Sequence, residues 1–243
     1  MKITIIRHAE PDYENNTLTK KGFREADYLG KYLKDEKLDY IYASPLNRAK
    51  FTADAICRYN ATKNYKTCDF LREFNALINL PYYKNHIIWD LKPSFLNNNL
   101  KLYSSDWAEV KEIKNSNVYS VYQEVKQGFT NILALHGYEY NGAYYSVKKP
   151  NKDNLVFVCH FGLGSILLSI LLNSSPFVLN NHTCMQPSSV TTLVSEEREE
   201  GKAIFRMLNF GSVEHLVVNG ENPSFMARFD EVYSDNKYKL DMD

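Results

Sequence analysis

Lys2-Ile3-Thr4-Ile5-Ile6-Arg7-His8-Ala9-Glu10-Pro11 decides how this chain is read. Ile3 to Ile6 is a short β-branched run, bounded by charge and then by Pro11, and such a run reads as a buried strand. Arg7 and His8 then fall at that strand's carboxyl end, where open α/β sheets bind their ligands. A second run, Leu155-Val156-Phe157-Val158-Cys159, is continuous enough for a central parallel strand, and His160-Phe161-Gly162-Leu163-Gly164 follows it. A third, Asp39 to Ser44, stops at Pro45 and leads to Arg48 on the first turn of a helical stretch.

Working outward, Thr19 is placed as an N-cap. Phe23, Ala26, Leu29, Tyr32 and Leu33 recur at helical spacing over about 20–33. Ala49, Ala53 and Ile56 line one face of a helix over 47–59, and a short strand is expected over 66–70. Strand alternating with helix is the pattern of an α/β protein with a mainly parallel sheet. Over 81–154 the pattern loosens, and this region reads as an insertion on a single domain spanning 1–243. Within it Val121, Tyr122, Val125, Phe129, Ile132 and Leu133 mark a helix over 118–136. Asn141-Gly142 between aromatic alternations marks a hairpin. Trp89, Trp107 and the tyrosines read as packing groups, with a lid over the site as the lesser alternative. Two strands, 189–194 and 203–208, are expected around a charged turn at 196–202, and the polar tail beyond Glu221 is expected on the surface.

Composition narrows the function. The 243 residues hold 29 Lys+Arg and 29 Asp+Glu, and without a basic excess or stripe a nucleic-acid partner is not expected. No signal peptide is read at the start, and no apolar run reaches the length needed to span a bilayer. Cys57, Cys68, Cys159 and Cys184 are widely spaced and form no C-x-x-C pair, which disfavours a zinc or redox motif and fits free thiols in a reducing cytoplasm. Cys159 should point away from its neighbour His160, into the core.

If the three strands run parallel, Arg7, His8, Arg48 and His160 converge on one sheet edge. Two guanidiniums in a cleft match a phosphate or carboxylate through bidentate hydrogen bonds. Helix N-termini after Arg48 and Gly162 would add positive potential. The site inferred from the residues alone is an anion site containing imidazoles.

The chain also resembles a known family. Arg7-His8-Ala9-Glu10 is similar to the R-H-G-E/Q motif of the histidine phosphatase, or phosphoglycerate mutase-like, superfamily. Leu18-Thr19-x-x-Gly22-x-x-x-Ala26-x-x-Leu29 resembles its first helix, and Tyr42-Ala43-Ser44-Pro45-Leu46-x-Arg48-Ala49-x-x-Thr52-Ala53 its second-arginine motif. Leu71-x-Glu73 resembles its acid segment, Val158-Cys159-His160-Phe161-Gly162 its second-histidine motif, and Asn209 with His215-Leu216 a weaker C-terminal signature. The likeness covers about 1–75 and 155–217.

The resemblance implies a three-layer αβα sandwich and a metal-independent phosphatase without cofactor, acting on a small phosphomonoester. His8 would become a phosphohistidine, Arg7, Arg48 and His160 would hold the phosphoryl oxygens, and Glu73 would be the proton donor. On the residues alone, Glu73 is either a solvated carboxylate or that acid, and Glu10 either supports the site or is a loop charge. His86, His136, His182 and His215 are read as structural. Two positions depart from the family pattern. Ala9 replaces its usual glycine, and Phe161 stands where the acid-phosphatase branch carries an aspartate, which leaves Glu73 as the donor. A mutase-type isomerase is the alternative, disfavoured because 71–115 lacks the mutase branch's arginine-rich segments. A non-catalytic phospho-ligand module and a metallohydrolase using His8, Glu10 and His160 are weaker ones. Substrate identity and oligomeric state are not legible in the sequence.

Overall fold

The computed structural model describes residues 1–224, so most of the tail expected on the surface lies outside the described residues. Strand β1 (Lys2–Arg7) leads into a ribbon of β2 (Pro11–Asp12) and β3 (Thr17–Leu18), then α1 (Lys20–Tyr32), β4 (Tyr40–Ala43), α2 (Asn47–Tyr59) and β5 (Lys66–Thr67). A hairpin of β6 (Leu77–Leu80) and β7 (Tyr83–Ile87) precedes two short helices, α3 (Pro93–Asn98) and α4 (Lys111–Lys114), and the long α5 (Val118–Leu135). Hairpin β8 (Tyr138–Asn141) and β9 (Tyr144–Val147) follows, then β10 (Asn154–Cys159), α6 (Phe161–Leu171), α7 (Pro176–His182), β11 (Val190–Glu199), β12 (Lys202–Ser212) and α8 (Glu214–Val217).

The expected α/β sandwich is found. Eight strands form one sheet in the order β5-β4-β10-β1-β11-β12-β9-β8. Pairings from β5 to β1 are parallel and those from β1 to β8 antiparallel, so the sheet is mixed. Two of the four antiparallel pairs, β11–β12 and β8–β9, are hairpins, whose short loops cannot make the crossover that parallel strands need. Strands β11 and β12 run longer than their apolar runs suggest, because the turn tightens to Glu200-Gly201, with Gly201 at φ +72. The β8–β9 turn centres on Gly142-Ala143, one residue beyond the Asn-Gly centre, with Gly142 at φ +66 in the first central position. That is the glycine placement of a type II′ hairpin.

Alternation along the strands makes the layers. Ile6, Val156, Val158, Ile41 and Ala43 pack with Leu29 of α1, Leu33 at its carboxyl end, and Ala49, Ala53 and Ile56 of α2. Ile3, Ile5, Phe157 and Cys159 pack on the opposite face with residues of α5 and α6. Cys159 points into the core, as expected from alternation. The strand expected over 66–70 ends at Thr67 and becomes a 3-10 turn, Asp69–Leu71, which leads to Glu73. Trp107 is buried against Tyr122 and Phe177, a packing role.

Helix α1 is capped as its sequence predicts, the Thr19 hydroxyl accepting from the Gly22 amide at 2.9 Å. It crosses α2 closely at Gly30, where a Cβ would lie 2.4 Å from the Ala55 carbonyl oxygen. Gly30→Ala should therefore destabilise the fold by about 1–3 kcal/mol of overpacking, against the roughly 1 kcal/mol that alanine adds to a helix. A lowered urea midpoint is the expected result, and an unchanged one would mean that the helices part freely.

Glu25, buried in α1, accepts from the Glu10 amide at 2.8 Å through Oε2, while Oε1 has no partner. Burial raises its pKa to about 7. The folded state then binds the proton more tightly than the unfolded chain, whose carboxyl titrates near the ordinary value of about 4.3. The proton-linked stability is fully present below that ordinary value and is lost as pH rises to about 7. Melting temperature should fall over this window in the native protein, and Glu25→Gln should flatten the fall.

Candidate active site

The parallel pairing of β1 with β10 sets Arg7 opposite Cys159, and the His8 amide donates to the Cys159 carbonyl at 2.9 Å. Each strand's next residue is a histidine, so His8 and His160 meet edge to face, ring centres 5.0 Å apart. Strand β4 continues the edge, with the Ser44 amide bonded to the Val158 carbonyl at 2.9 Å. Arg48 then rises on the first turn of α2. The four residues expected to converge do so.

His8 is 1% exposed. Its Nδ1 lies 2.7 Å from the Ala9 carbonyl oxygen. A carbonyl only accepts, so Nδ1 carries the proton and the lone pair is on Nε2. Arg48 Nε donates to that nitrogen at 3.2 Å. Burial first, then the Arg7 and Arg48 charges, hold the His8 pKa well below that of a free imidazole. Burial, His8 and the two guanidiniums do the same to His160. Both rings are therefore neutral at neutral pH.

Arg7 is 4% exposed; Nη1 donates to the Met185 carbonyl at 2.7 Å, its guanidinium lies over the Phe161 ring, and its Nε is buried without a partner. Arg48 lies over the Tyr13 ring. Neither guanidinium forms an ion pair among the described residues, an arrangement that favours an incoming anion. His160 Nε2 is 2.8 Å from the Ser44 hydroxyl, while its Nδ1 is buried and unpartnered.

Glu73 reaches the same edge from the turn after β5. Its Oε1 accepts from the Phe74 amide at 2.8 Å and from the Leu163 amide of α6 at 2.9 Å. The first turn of α6, expected to face the anion, thus gives its Leu163 amide to this carboxyl. Burial raises the Glu73 pKa, opposed by the two amides and by Arg7 and Arg48. Gly162 is required here, because a Cβ would lie 2.4 Å from the Trp89 ring and 3.0 Å from Glu73 Oε1.

Glu10 does not join the imidazoles. Its Oε1 accepts from the Thr19 hydroxyl at 2.7 Å and its backbone is held by Glu25, so it braces the loop that leads to α1. Among the described residues no group of three His, Cys, Asp or Glu side chains could hold a metal ion.

Several supporting residues were not singled out by sequence reasoning. Thr52 accepts from the Ala9 amide at 3.1 Å and donates to the Arg48 carbonyl at 2.8 Å, tying the histidine loop to α2. Ser188, at φ +59, donates its amide to the His8 carbonyl at 3.1 Å and pairs its hydroxyl with His215 Nε2 at 2.9 Å. Burial lowers the His215 pKa to about 4, so that ring is a neutral hydrogen-bond partner. Thr52 lies inside the second-arginine motif, a usable signal; nothing around Ser188 announced its role. No helix among the described residues is long and apolar enough to cross a membrane.

Comparison with known proteins identifies the fold and the family. The phosphoserine phosphatase of Entamoeba histolytica superposes with a TM-score of 0.58 at 19% identity, over 88% of this chain and 98% of that one. A phosphoglycerate mutase of Bacillus anthracis superposes with a TM-score of 0.58 at 18% identity, over 90% and 96%. At such identities the likeness is one of fold. The fructose-2,6-bisphosphatase TIGAR of Xenopus laevis is 35% identical over 68 residues, 24% of this chain and 25% of that protein. The chain thus spans about a quarter of the length of the curated relatives it matches. The family model of the histidine phosphatase superfamily (branch 1) matches residues 3–139, a span that includes Arg7, His8, Arg48 and Glu73. With that match over more than half of its length, the chain belongs to the histidine phosphatase superfamily, branch 1.

Proposed function

We propose that the protein is a phosphatase that hydrolyses a small phosphomonoester through a phosphohistidine on His8, without a metal ion or cofactor. The observation that carries this reading is the Nδ1 bond to the Ala9 carbonyl, which leaves the Nε2 lone pair of a buried, neutral imidazole beside Arg48. The phosphatase relatives support the reaction class. The alternative of a mutase has no observation in its favour at the site.

Hydrolysis takes two displacements. In the first, His8 Nε2 forms a bond to phosphorus as the ester oxygen leaves, and the Glu73 carboxyl gives that oxygen its proton. Arg48 passes from the lone pair to a phosphoryl oxygen, the unpartnered Arg7 Nε takes another, and His160 Nδ1–H takes a third. The Ser44 hydroxyl donates to His160 Nε2 and so keeps the proton on Nδ1. These fixed donors offset the charge that spreads over the oxygens in the transition state. In the second displacement water attacks phosphorus, Glu73 carboxylate takes its proton, and phosphate departs as the N–P bond breaks. The raised Glu73 pKa suits both duties.

Turnover of p-nitrophenyl phosphate in EDTA should fall to background in His8→Ala, and acid-labile phosphoenzyme should be trapped only where His8 is present. Full activity in His8→Ala would sink the covalent route. Glu73→Gln should slow alkyl esters about 10²–10⁴-fold, and p-nitrophenyl phosphate less, since its leaving group needs little protonation. The first displacement needs Glu73 protonated, a state that persists to higher pH because burial raises its pKa. It also needs His8 neutral, a state that persists to lower pH because burial lowers its pKa. The rate of phosphoenzyme formation should therefore fall as pH rises through the Glu73 pKa and hold at mildly acidic pH. Glu73→Gln should lose the alkaline fall.

A further inference from the structure

Beside the phosphoryl cradle lies a cleft of about 340 Å³, walled by Trp89 and Asp90 on one side and by Asn180 to Cys184 on the other. It shares two walls with the cradle. Trp89 meets Phe161, the ring under Arg7, at 6.2 Å, and it covers Gly162 next to Glu73. Cys184 precedes Met185, whose carbonyl holds Arg7. If Glu73 protonates the leaving oxygen, as the reading above has it, the organic part of the ester extends from Glu73 past Trp89 into this cleft.

The chemistry of the cleft is that of an acceptor. No lysine or arginine is among its described lining residues. Asp90 brings a carboxylate. The other wall is the last turn and carboxyl end of α7, where the helix carbonyls carry partial negative charge, although Thr183 caps the Leu179 carbonyl at 2.6 Å and Asn181 the Phe177 carbonyl at 3.1 Å. Asn180 is 1% exposed; its Nδ2 is spent on the Pro176 carbonyl at 3.0 Å, and its Oδ1 is buried without a partner. His182 Nε2 is engaged with the Tyr103 hydroxyl at 3.0 Å. Such walls receive hydroxyl or ammonium donors and repel a second anion.

We infer that this cleft selects a phosphomonoester whose organic group is hydroxylated and carries no second anionic group. That excludes bisphosphates and phosphorylated carboxylic acids as preferred substrates. The inference rests on the phosphatase reading only for the direction in which the ester points.

Glycerol 3-phosphate and 3-phosphoglycerate differ only in an alcohol against a carboxylate, and they isolate the question. The alcohol should be favoured in kcat/KM by roughly tenfold, the discrimination that like charge several ångströms away supplies near a protein surface. Asp90→Lys should narrow or reverse the ratio. Calorimetric binding of both esters to His8→Ala reads the same preference without turnover. Equal or better use of the carboxylate, with p-nitrophenyl phosphate hydrolysed normally, would overturn the cleft's role and leave the phosphatase intact. A native protein that hydrolyses no ester, but whose His8→Ala variant still binds the alcohol better, would overturn the phosphatase reading instead. Loss of the preference in both assays, or an unmoved ratio in Asp90→Lys, would remove the assignment.

Discussion

A buried polar clasp at the opposite end of the sheet sets the geometry of the site. Asn154 accepts from the Thr4 hydroxyl at 2.9 Å, donates its side chain to the Lys37 carbonyl at 3.0 Å, and donates its amide to Asp39 at 2.8 Å. It thereby ties β1, β10 and the entry to β4 at their amino ends. A slip of one residue would turn every side chain of a strand to the other face. It would also leave the Thr4 hydroxyl and the Asn154 amide buried and unpaired, at about 1–3 kcal/mol each. With the amino ends locked, the carboxyl ends must deliver His8, Ser44 and His160 side by side.

What the clasp delivers is electrostatically unfavourable until an anion arrives. Two guanidiniums sit beside two imidazoles that their own charge helps to keep neutral. Glu73 forms no ion pair with either guanidinium among the described residues; its Oε1 is held by two backbone amides. A buried charge without a partner costs stability, and the fold meets that cost with apolar layers packed on both faces of the sheet. Preorganised positive potential of this kind needs no rearrangement when phosphoryl charge develops.

Much of this was legible in the sequence, because the strands that carry it are buried on both faces and read as unbroken apolar runs. Ile3–Ile6 and Leu155–Cys159 announced themselves, and Arg7, His8 and His160 followed as strand-end residues. The antiparallel half of the sheet was harder. Ile204 and Met207 of β12 are exposed, and Glu196 to Glu199 are charged strand residues, so periodicity understated the strands there. Glu73 was ambiguous because a carboxylate's surroundings, two amides from distant segments, leave no trace in neighbouring residues. Ser188 was illegible for a similar reason: its value is a backbone amide aimed at the His8 carbonyl, and any residue type has one. The cleft beside Trp89 joins residues some ninety positions apart, which spacing alone does not bring together.

The two contacts made by the segment after α7, the Met185 carbonyl on Arg7 and the Ser188 amide on His8, carry a consequence for biosynthesis. Arg7 and His8 leave the ribosome long before the segment that locks them in place. Until residues 185–188 have emerged, the cation lacks the Met185 carbonyl and the imidazole backbone has one anchor fewer. Contacts so distant in sequence also slow folding, since the loop must close before the pairing repays it. Delayed activity and delayed folding are, in this architecture, one property.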